Sequence, residues 1–343
     1  MLADRKKQHL DIVLAGQAVS SSIGAGFAEV RFEHVALPEI DMGAIDLTTE
    51  FLGRRIAIPF LVSSMTGGAE KAQAINHNIA IACEALKIPF GVGSQRVAIE
   101  TATDWGMNRE LRRLAPSVPI LANIGAAQLN TGFGLDQARR AVEMIDADAL
   151  IIHLNPLQEA VQPEGDRDWR GLAGKIGALG KALSVPLVIK EVGSAISPAT
   201  AATLVDLGVR IIDVAGAGGT SWASVEAQRA RTPAEAAIAS AFSDWGQPTA
   251  FAIAALRRAM PDLFIIGSGG VRTGVDAAKA IRLGADLVGQ AASVLPSATT
   301  SPEQIAEHFG IMAAQLRVAC FCTGSSTLAE LRKAKLEAAP VWG

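Results

Sequence analysis

A closed parallel barrel of the TIM (β/α)8 type is the α/β fold this sequence predicts, on three observations. Short apolar runs recur at a regular spacing, helix-period stretches separate them, and polar residues or glycines gather at the C-terminal end of each run. The first four runs start at Pro59, Pro89, Pro119 and Ala149, a step of 30 residues, which is the length of one strand–helix unit. Four more follow at Pro186–Glu191, Arg210–Gly216, Leu263–Ser268 and Asp286–Gln290. Near-continuous apolar runs belong to strands buried on both faces, as in a parallel barrel wrapped by helices. An open, doubly wound sheet is the competing topology. The Gly267-Ser268-Gly269-Gly270 stretch that would support it is a weak motif and comes too late in the chain for a dinucleotide fingerprint.

In chain order, residues 1–55 read as an N-terminal extension. A helix begins at Arg5-Lys6-Lys7-Gln8-His9 and ends by Gly16, Phe27–Val35 reads as a half-buried strand, and Glu39–Phe51 as a loop with a second short strand. The barrel occupies residues 56–300. Its helices include Leu135–Ile145, Ala199–Leu207 and Val275–Leu283, and Ser197-Pro198 supplies a capping serine with proline in the first turn. Two connections are long, Pro156–Gly171 after the fourth strand and Gly216–Thr249 after the sixth. Both leave C-terminal strand ends, where barrel enzymes carry their working loops. Residues 301–343 read as a helical tail packed on the barrel, with one helix from Ser301-Pro302 to about Phe321 and a short one over Leu328–Leu336.

Half of the 343 residues are apolar and 19% are charged, enough for a large core and against disorder. The net charge of −3, without a basic tract, removes the electrostatic footprint of a nucleic-acid binder. Cys83, Cys320 and Cys322 show no CxxC spacing, so neither a disulfide framework nor a zinc site is indicated, and a cytoplasmic setting is expected. The first residues lack the apolar core of a secretory signal, and no apolar run approaches 18 residues, so no membrane span is read.

The polar strand ends converge on one mouth if the barrel closes. They are Ser63-Ser64-Met65-Thr66, Ser94-Gln95-Arg96, Asn123, His153-Leu154-Asn155-Pro156-Leu157-Gln158-Glu159, Lys190-Glu191, Gly216–Thr220 and Gly267–Gly274. A strand end needs turn chemistry, and Asn155-Pro156 supplies it. It does not need an imidazole, two amides and a carboxylate within seven residues. A satisfied histidine and a solvated carboxylate are the plainer alternative for that run. Gly267–Gly274 reads as an anion cradle, with Arg272 as a bidentate donor and the next helix offering its positive end; tight turns with a surface arginine are the alternative. Lys190, inside an apolar strand, must be paired or engaged with a ligand, and Glu191 or Asp213 could pair with it structurally. Asn123 can give and take hydrogen bonds with a heterocycle edge.

These motifs resemble the type 2 isopentenyl-diphosphate isomerases, an FMN-dependent family, over nearly the whole chain. The likeness is most specific in Ser64–Gly68, Gly93–Arg96, His153–Glu159, Lys190–Gly193 and Gly218–Thr220. It implies conversion of isopentenyl diphosphate to dimethylallyl diphosphate, with reduced FMN as acid and base and no net redox. The substrate would be held by Arg5, Lys6, His9, Ser94, Gln95, Arg96, His153 and Asn155, with Gln158 near the double bond and Glu226 a further contact. Gln158, His153 and Lys190 would serve the chemistry, Lys190 by stabilising the anionic reduced flavin. Glu159 would hold Mg2+. FMN would touch Ser64, Met65, Thr66, Ser94, Asn123, Lys190 and Thr220, with its phosphate on Gly270, Val271, Arg272, Ala291 and Ala292. NADPH would serve only to charge the flavin, and a tetramer or octamer would be the assembly. Ala215-Gly216-Ala217 departs from the family pattern, where a serine and a larger polar residue are common. The residues alone show many binding groups at the mouth but no obvious buried acid–base pair. The rival reading, an FMN barrel oxidoreductase of the 2-hydroxy-acid oxidase type, needs a histidine and an arginine after the sixth strand, where Ala215–Thr220 has neither.

Overall fold

The computed structural model describes residues 2–16, 23–65, 72–101 and 103–337, with only the backbone of 2–7. A hairpin of β1 (Thr49–Phe51) and β2 (Arg54–Ile56) precedes the barrel strands. These are β3 (Phe60–Val62), β4 (Phe90–Gly91), β5 (Ile120–Gly125), β6 (Ala149–Leu154), β7 (Leu187–Glu191), β8 (Ile211–Asp213), β9 (Phe264–Ser268) and β10 (Leu287–Gln290). All eight run parallel, and β10 pairs with β3 to close the ring. Each of the eight apolar runs read from the sequence contains one of these strands.

The strands are buried on both sides because helices cover the outside. Leu135–Ile145 shows how: Ala138, Ala141 and Ile145 are buried while Arg139, Arg140 and Glu143 between them are exposed. Ser197 caps its helix by accepting the Thr200 amide, and Thr273 caps Gly274–Leu283 in a reciprocal pair with Asp276.

One device is used twice at the N-terminal end of the barrel. Asp148, just before β6, accepts the Ile120 amide at 2.8 Å and Arg112 at 2.6 Å on one oxygen, and Arg54 at 2.8 Å on the other. Asp286, just before β10, accepts the Ile265 amide at 2.9 Å and Arg257 at 2.7 Å on one oxygen, and Arg332 at 3.2 Å on the other. Each aspartate thus locks a strand start to its neighbour and, through its second arginine, to the hairpin or the C-terminal tail.

Two terminal segments differ from the sequence reading. Phe27–Val35 is not a strand: Phe27–Glu29 is a 3-10 turn, and only Phe32 bridges to Leu336. Its apolar residues step by three and two, which satisfies a turn followed by extended chain rather than a pleat. The last short helix stops at Leu331, because residues beyond it turn back to pair with that segment, the Glu33 amide donating to Lys335 O at 2.9 Å. The long tail helix, Pro302–Cys322, runs one residue past the expected end, and by length and composition it could cross a membrane. Here its Ile305, Phe309, Met312, Leu316 and Cys320 are buried against the barrel's helices.

Asp286→Ala is expected to lower unfolding free energy by about 2 kcal/mol, since it strands two arginines and the Ile265 amide. Urea melts should show a lower midpoint with an unchanged slope.

Candidate functional site

A cavity of about 780 Å3 opens at the C-terminal ends of the strands, within the range of small-molecule sites. Seven strands or their following loops supply polar or glycine lining residues: Ser63 and Ser64, Ser94 and Arg96, Asn123, five residues from His153 to Gln162 (His153, Asn155, Gln158, Glu159 and Gln162), Lys190, Gly216, Gly219 and Thr220, and Ser268, Gly269, Gly270 and Arg272. Gly289 to Ser293 complete the wall from β10, and the N-terminal helix Leu2–Leu14 lies across the mouth through His9, Leu10, Val13 and Leu14.

On the β9–β10 side the wall is a glycine cradle. A Cβ on Gly269 would come within 2.2 Å of Gly216 O, and one on Gly219 within 2.7 Å of the Gly270 nitrogen, so two loops pack backbone to backbone. The Gly270 and Val271 amides donate to no acceptor among the described residues. The next helix does not offer its positive end as expected. Its Arg272 and Thr273 amides already bond Asp276 at 3.1 and 3.0 Å, and the Gly274 amide bonds Gln315 at 2.7 Å. The Gly270 and Val271 loop amides are therefore donors open to an anion just ahead of that helix.

Across the barrel, on the β4–β6 side, lies a second polar group. Asn123 Nδ2 donates to Val92 O at 3.1 Å, which turns its Oδ1 toward His153 Nδ1 at 2.9 Å and places the imidazole proton there. Asn155 Nδ2 donates to Gln158 Oε1 at 3.1 Å and to Glu159 Oε1 at 2.9 Å, while Glu159 Oε2 accepts the Asp166 amide at 2.7 Å. Arg96 is clasped by Glu100 at 2.9 Å and Asp166 at 3.1 Å. Burial opposes its charge, but the two carboxylates outweigh burial and hold its pKa above the ordinary value. Ser63 Oγ, Ser64 Oγ and Asn155 Oδ1 are buried, with no hydrogen-bond partner among the described residues. Buried polar atoms facing a cavity in this way fit a polar ligand.

The remaining sequence candidates divide. Met65, Thr220, Ala291 and Ala292 line the cavity. Thr66 and the side chains of Arg5 and Lys6 lie outside the described residues. Gln95 is fully buried behind the wall, where Nε2 donates to Ala141 O at 2.8 Å and Oε1 accepts the Asn123 amide at 2.9 Å; it holds a lining residue in place. Glu226 also sits behind the lining. Its Oε1 accepts Gln158 Nε2 at 3.2 Å and meets His9 Nε2 at 2.9 Å, while Oε2 pairs with Arg229. Burial pushes its pKa up, but His9, Arg229 and Gln158 together draw it below the ordinary range.

Four buried carboxylates therefore surround the mouth, where the residues alone showed no acid–base pair. Besides Glu159 and Glu226 they are Glu191, pushed up to about 7 by burial, and Asp213, also raised by burial. Lys190 stands in register with Asp213 on β8, and its Nζ donates to Glu191 O at 2.6 Å. The sequence reading also missed Gln128, Gln162 and Trp222. Trp222 belongs to the long connection after β8 and meets His9 edge to face at 5.1 Å, a pairing that no local pattern announces. Among the described residues, no three His, Cys, Asp or Glu side chains cluster as a metal site.

Residues 153–338 match the FMN-dependent dehydrogenase family, which places this barrel among FMN-dependent proteins. The isopentenyl-diphosphate delta-isomerase of Stutzerimonas stutzeri (strain A1501) is 59% identical over 98% of this chain and 97% of its own length. That of Pseudescherichia vulneris is 56% identical over 98% and 96%. A flavocytochrome b2 with sulfite bound superposes with a TM-score of 0.71 at 19% identity, covering 96% of this chain and 83% of its own, a likeness of fold. The chain belongs to the isopentenyl-diphosphate delta-isomerase family, within the FMN-dependent barrel proteins.

Because burial disfavours the charged Glu191 carboxylate, its contribution to stability is complete below the ordinary glutamate range and is lost as pH rises from about 4.5 through about 7. Glu191→Gln cannot ionise. Thermal melts should place it a few degrees above the wild type at about pH 8 and level with it near pH 5.

Proposed function

We propose that the chain converts isopentenyl diphosphate to dimethylallyl diphosphate, using FMN in its reduced form. The observation that carries this reading is a pair of anion-binding walls on opposite sides of one cavity. In the strand order β10-β3-β4-β5-β6-β7-β8-β9, the β9–β10 cradle stands opposite β5 and β6. One wall suits the flavin phosphate and the other the substrate diphosphate, which leaves the reactive ends of both molecules to meet between them.

The cradle at Gly270, Val271, Ala291 and Ala292 would hold the FMN phosphate with Arg272. Ser64, Met65, Ser94, Asn123 and Thr220 would flank the ring system, and the buried Ser64 hydroxyl is a donor of the type it needs. When bound, reduced FMN supplies the acid and base that add a proton at C4 and remove one at C2. The chain's own residues position and neutralise. Arg96 and Ser94, with Arg5 and Lys6 of the extension, would hold the diphosphate, joined by His153 once Nε2 is protonated and by Asn155 once its Nδ2 leaves Gln158 or Glu159. Gln158, anchored by Asn155 and Glu226, sits at the isoprene end. Lys190, which lines the cavity, would offer its charge to the anionic reduced flavin. Glu159 would carry Mg2+ together with diphosphate oxygens and water, an arrangement that needs only one or two protein carboxylates. NADPH would reduce the flavin once rather than in every cycle. A cytoplasmic homo-oligomer completes the reading.

The dehydrogenase alternative needs an imidazole and a guanidinium after β8. The lining there is Ala215, Gly216, Gly219, Thr220 and Trp222, with neither group among them.

Proton NMR of isopentenyl diphosphate incubated anaerobically in D2O with the protein, FMN, Mg2+ and NADPH tests this. Dimethylallyl diphosphate should appear with deuterium at C4 and with far less NADPH consumed than product formed. Reduced FMN bound without any product would overturn the assignment. In the same assay, Arg96→Ala should raise KM by about 10- to 100-fold with a smaller change in kcat, since it removes charge-assisted bonds to the diphosphate.

A further inference from the structure

Glu191 is buried behind the cavity wall and makes none of the contacts proposed above. Its Oε2 accepts three consecutive amides, those of Val192 and Gly193 at 2.6 Å and that of Ser194. Three amides turned on one point form an anion nest, and here the chain fills it with its own carboxylate. The main-chain carbonyl of the same residue accepts Lys190 Nζ at 2.6 Å. One residue therefore fixes both a loop and a cation.

The loop is part of the site. Val192 and Gly193 line the large cavity. Gly193 has φ +154, and a Cβ there would lie 2.6 Å from Thr220 O, so the loop lies flat against the Thr220 segment. Beyond it, the Gln247 amide donates to Ser194 O at 3.2 Å, which ties the long connection after β8 to the same clamp. The charged or titratable groups at this level are Lys190 beside it, Asp213 on β8 and His153 on β6, the last two in register with Lys190.

We propose that Glu191 is a positioning residue which, through the Val192–Ser194 loop and Lys190, sets the preference of the barrel for reduced over oxidised FMN. This rests on the reading that FMN occupies the cavity with Lys190 at its anionic edge. A buried negative charge beside Lys190 offsets part of the field that Lys190 offers to a reduced flavin. Removing that charge while keeping an acceptor for the three amides strengthens binding of the reduced form.

Two variants separate charge from shape. Glu191→Gln keeps an oxygen for the nest and loses the charge, whereas Glu191→Ala loses both. FMN dissociation constants and the midpoint potential of bound FMN, measured on the full chain at about pH 8, read the outcome without substrate. Glu191→Gln should bind oxidised FMN within about threefold of the wild type. Its ratio of affinities for reduced over oxidised FMN should rise about tenfold, a positive shift of about 30 mV for a two-electron couple. Glu191→Ala should bind oxidised FMN at least tenfold more weakly, with Glu191→Gln as the conservative rescue. An unchanged ratio in Glu191→Gln with FMN bound overturns the proposal alone, and it decides the matter even if Glu191→Ala fails to fold. A wild-type chain that binds no FMN overturns the flavin reading and this proposal with it.

Discussion

The register of three adjacent strands is the constraint on which the site depends. His153 on β6 pairs with Lys190 on β7, and Lys190 with Asp213 on β8. These polar groups stand at one height because the ladders fix them there. Side chains alternate along a strand, so a slip of one residue would turn Lys190 toward the surrounding helices and bring Ile189 to the mouth. The apolar residues do not specify this by themselves. Ile151 and Ile152, or Val188 and Ile189, are equally suited to either face of a doubly buried strand. Discrimination comes from the polar ends, since a lysine buried among outer helices is costly, and from the aspartate clamps at the opposite end. Asp148 and Asp286 each take the amide of a neighbouring strand start, which pins the stagger where hydrophobic packing is indifferent.

Once the register is set, the electrostatics of the mouth follow from which carboxylates find partners. Glu226 and Glu191 are both buried, yet their pKa values move in opposite directions. Glu226 is engaged by an imidazole, an amide and a guanidinium, and together they overcome desolvation. Glu191 receives three backbone amides and the nearby Lys190 charge, and desolvation still prevails. The acidic residue that the N-terminal helix approaches thus stays ionised, while the one beneath Lys190 titrates near neutrality.

The barrel was legible in the sequence because its signals are local and repeated: a 30-residue step, apolar runs, and polar residues at each run's end. His153, Asn155, Gln158 and Glu159 were conspicuous because a strand end has no structural need for them. What stayed hidden depends on contacts between distant segments. Gln95 sits between two residues that line the mouth, and only the fold shows its side chain turned back to carry Asn123. The helix after Gly274 looked like an anion site, but its amides are used by Asp276 and by Gln315 from the tail helix. Phe27–Val35 looked strand-like because a turn joined to extended chain can imitate alternation.

The N-terminal extension shows the same point in the direction of function. His9 and Glu226 are 217 residues apart, and neither has a local reason to be where it is. One oxygen of Glu226 serves both His9, on the helix across the mouth, and Gln158, on the cavity wall. A carboxylate oxygen has lone pairs for two such partners, and its second oxygen is held by Arg229. Displacing the helix would therefore remove one of the interactions that keep Glu226 ionised and in place, and so loosen the anchor of Gln158. The cover over the cavity and the orientation of a wall residue share a single buried charge, which couples them energetically.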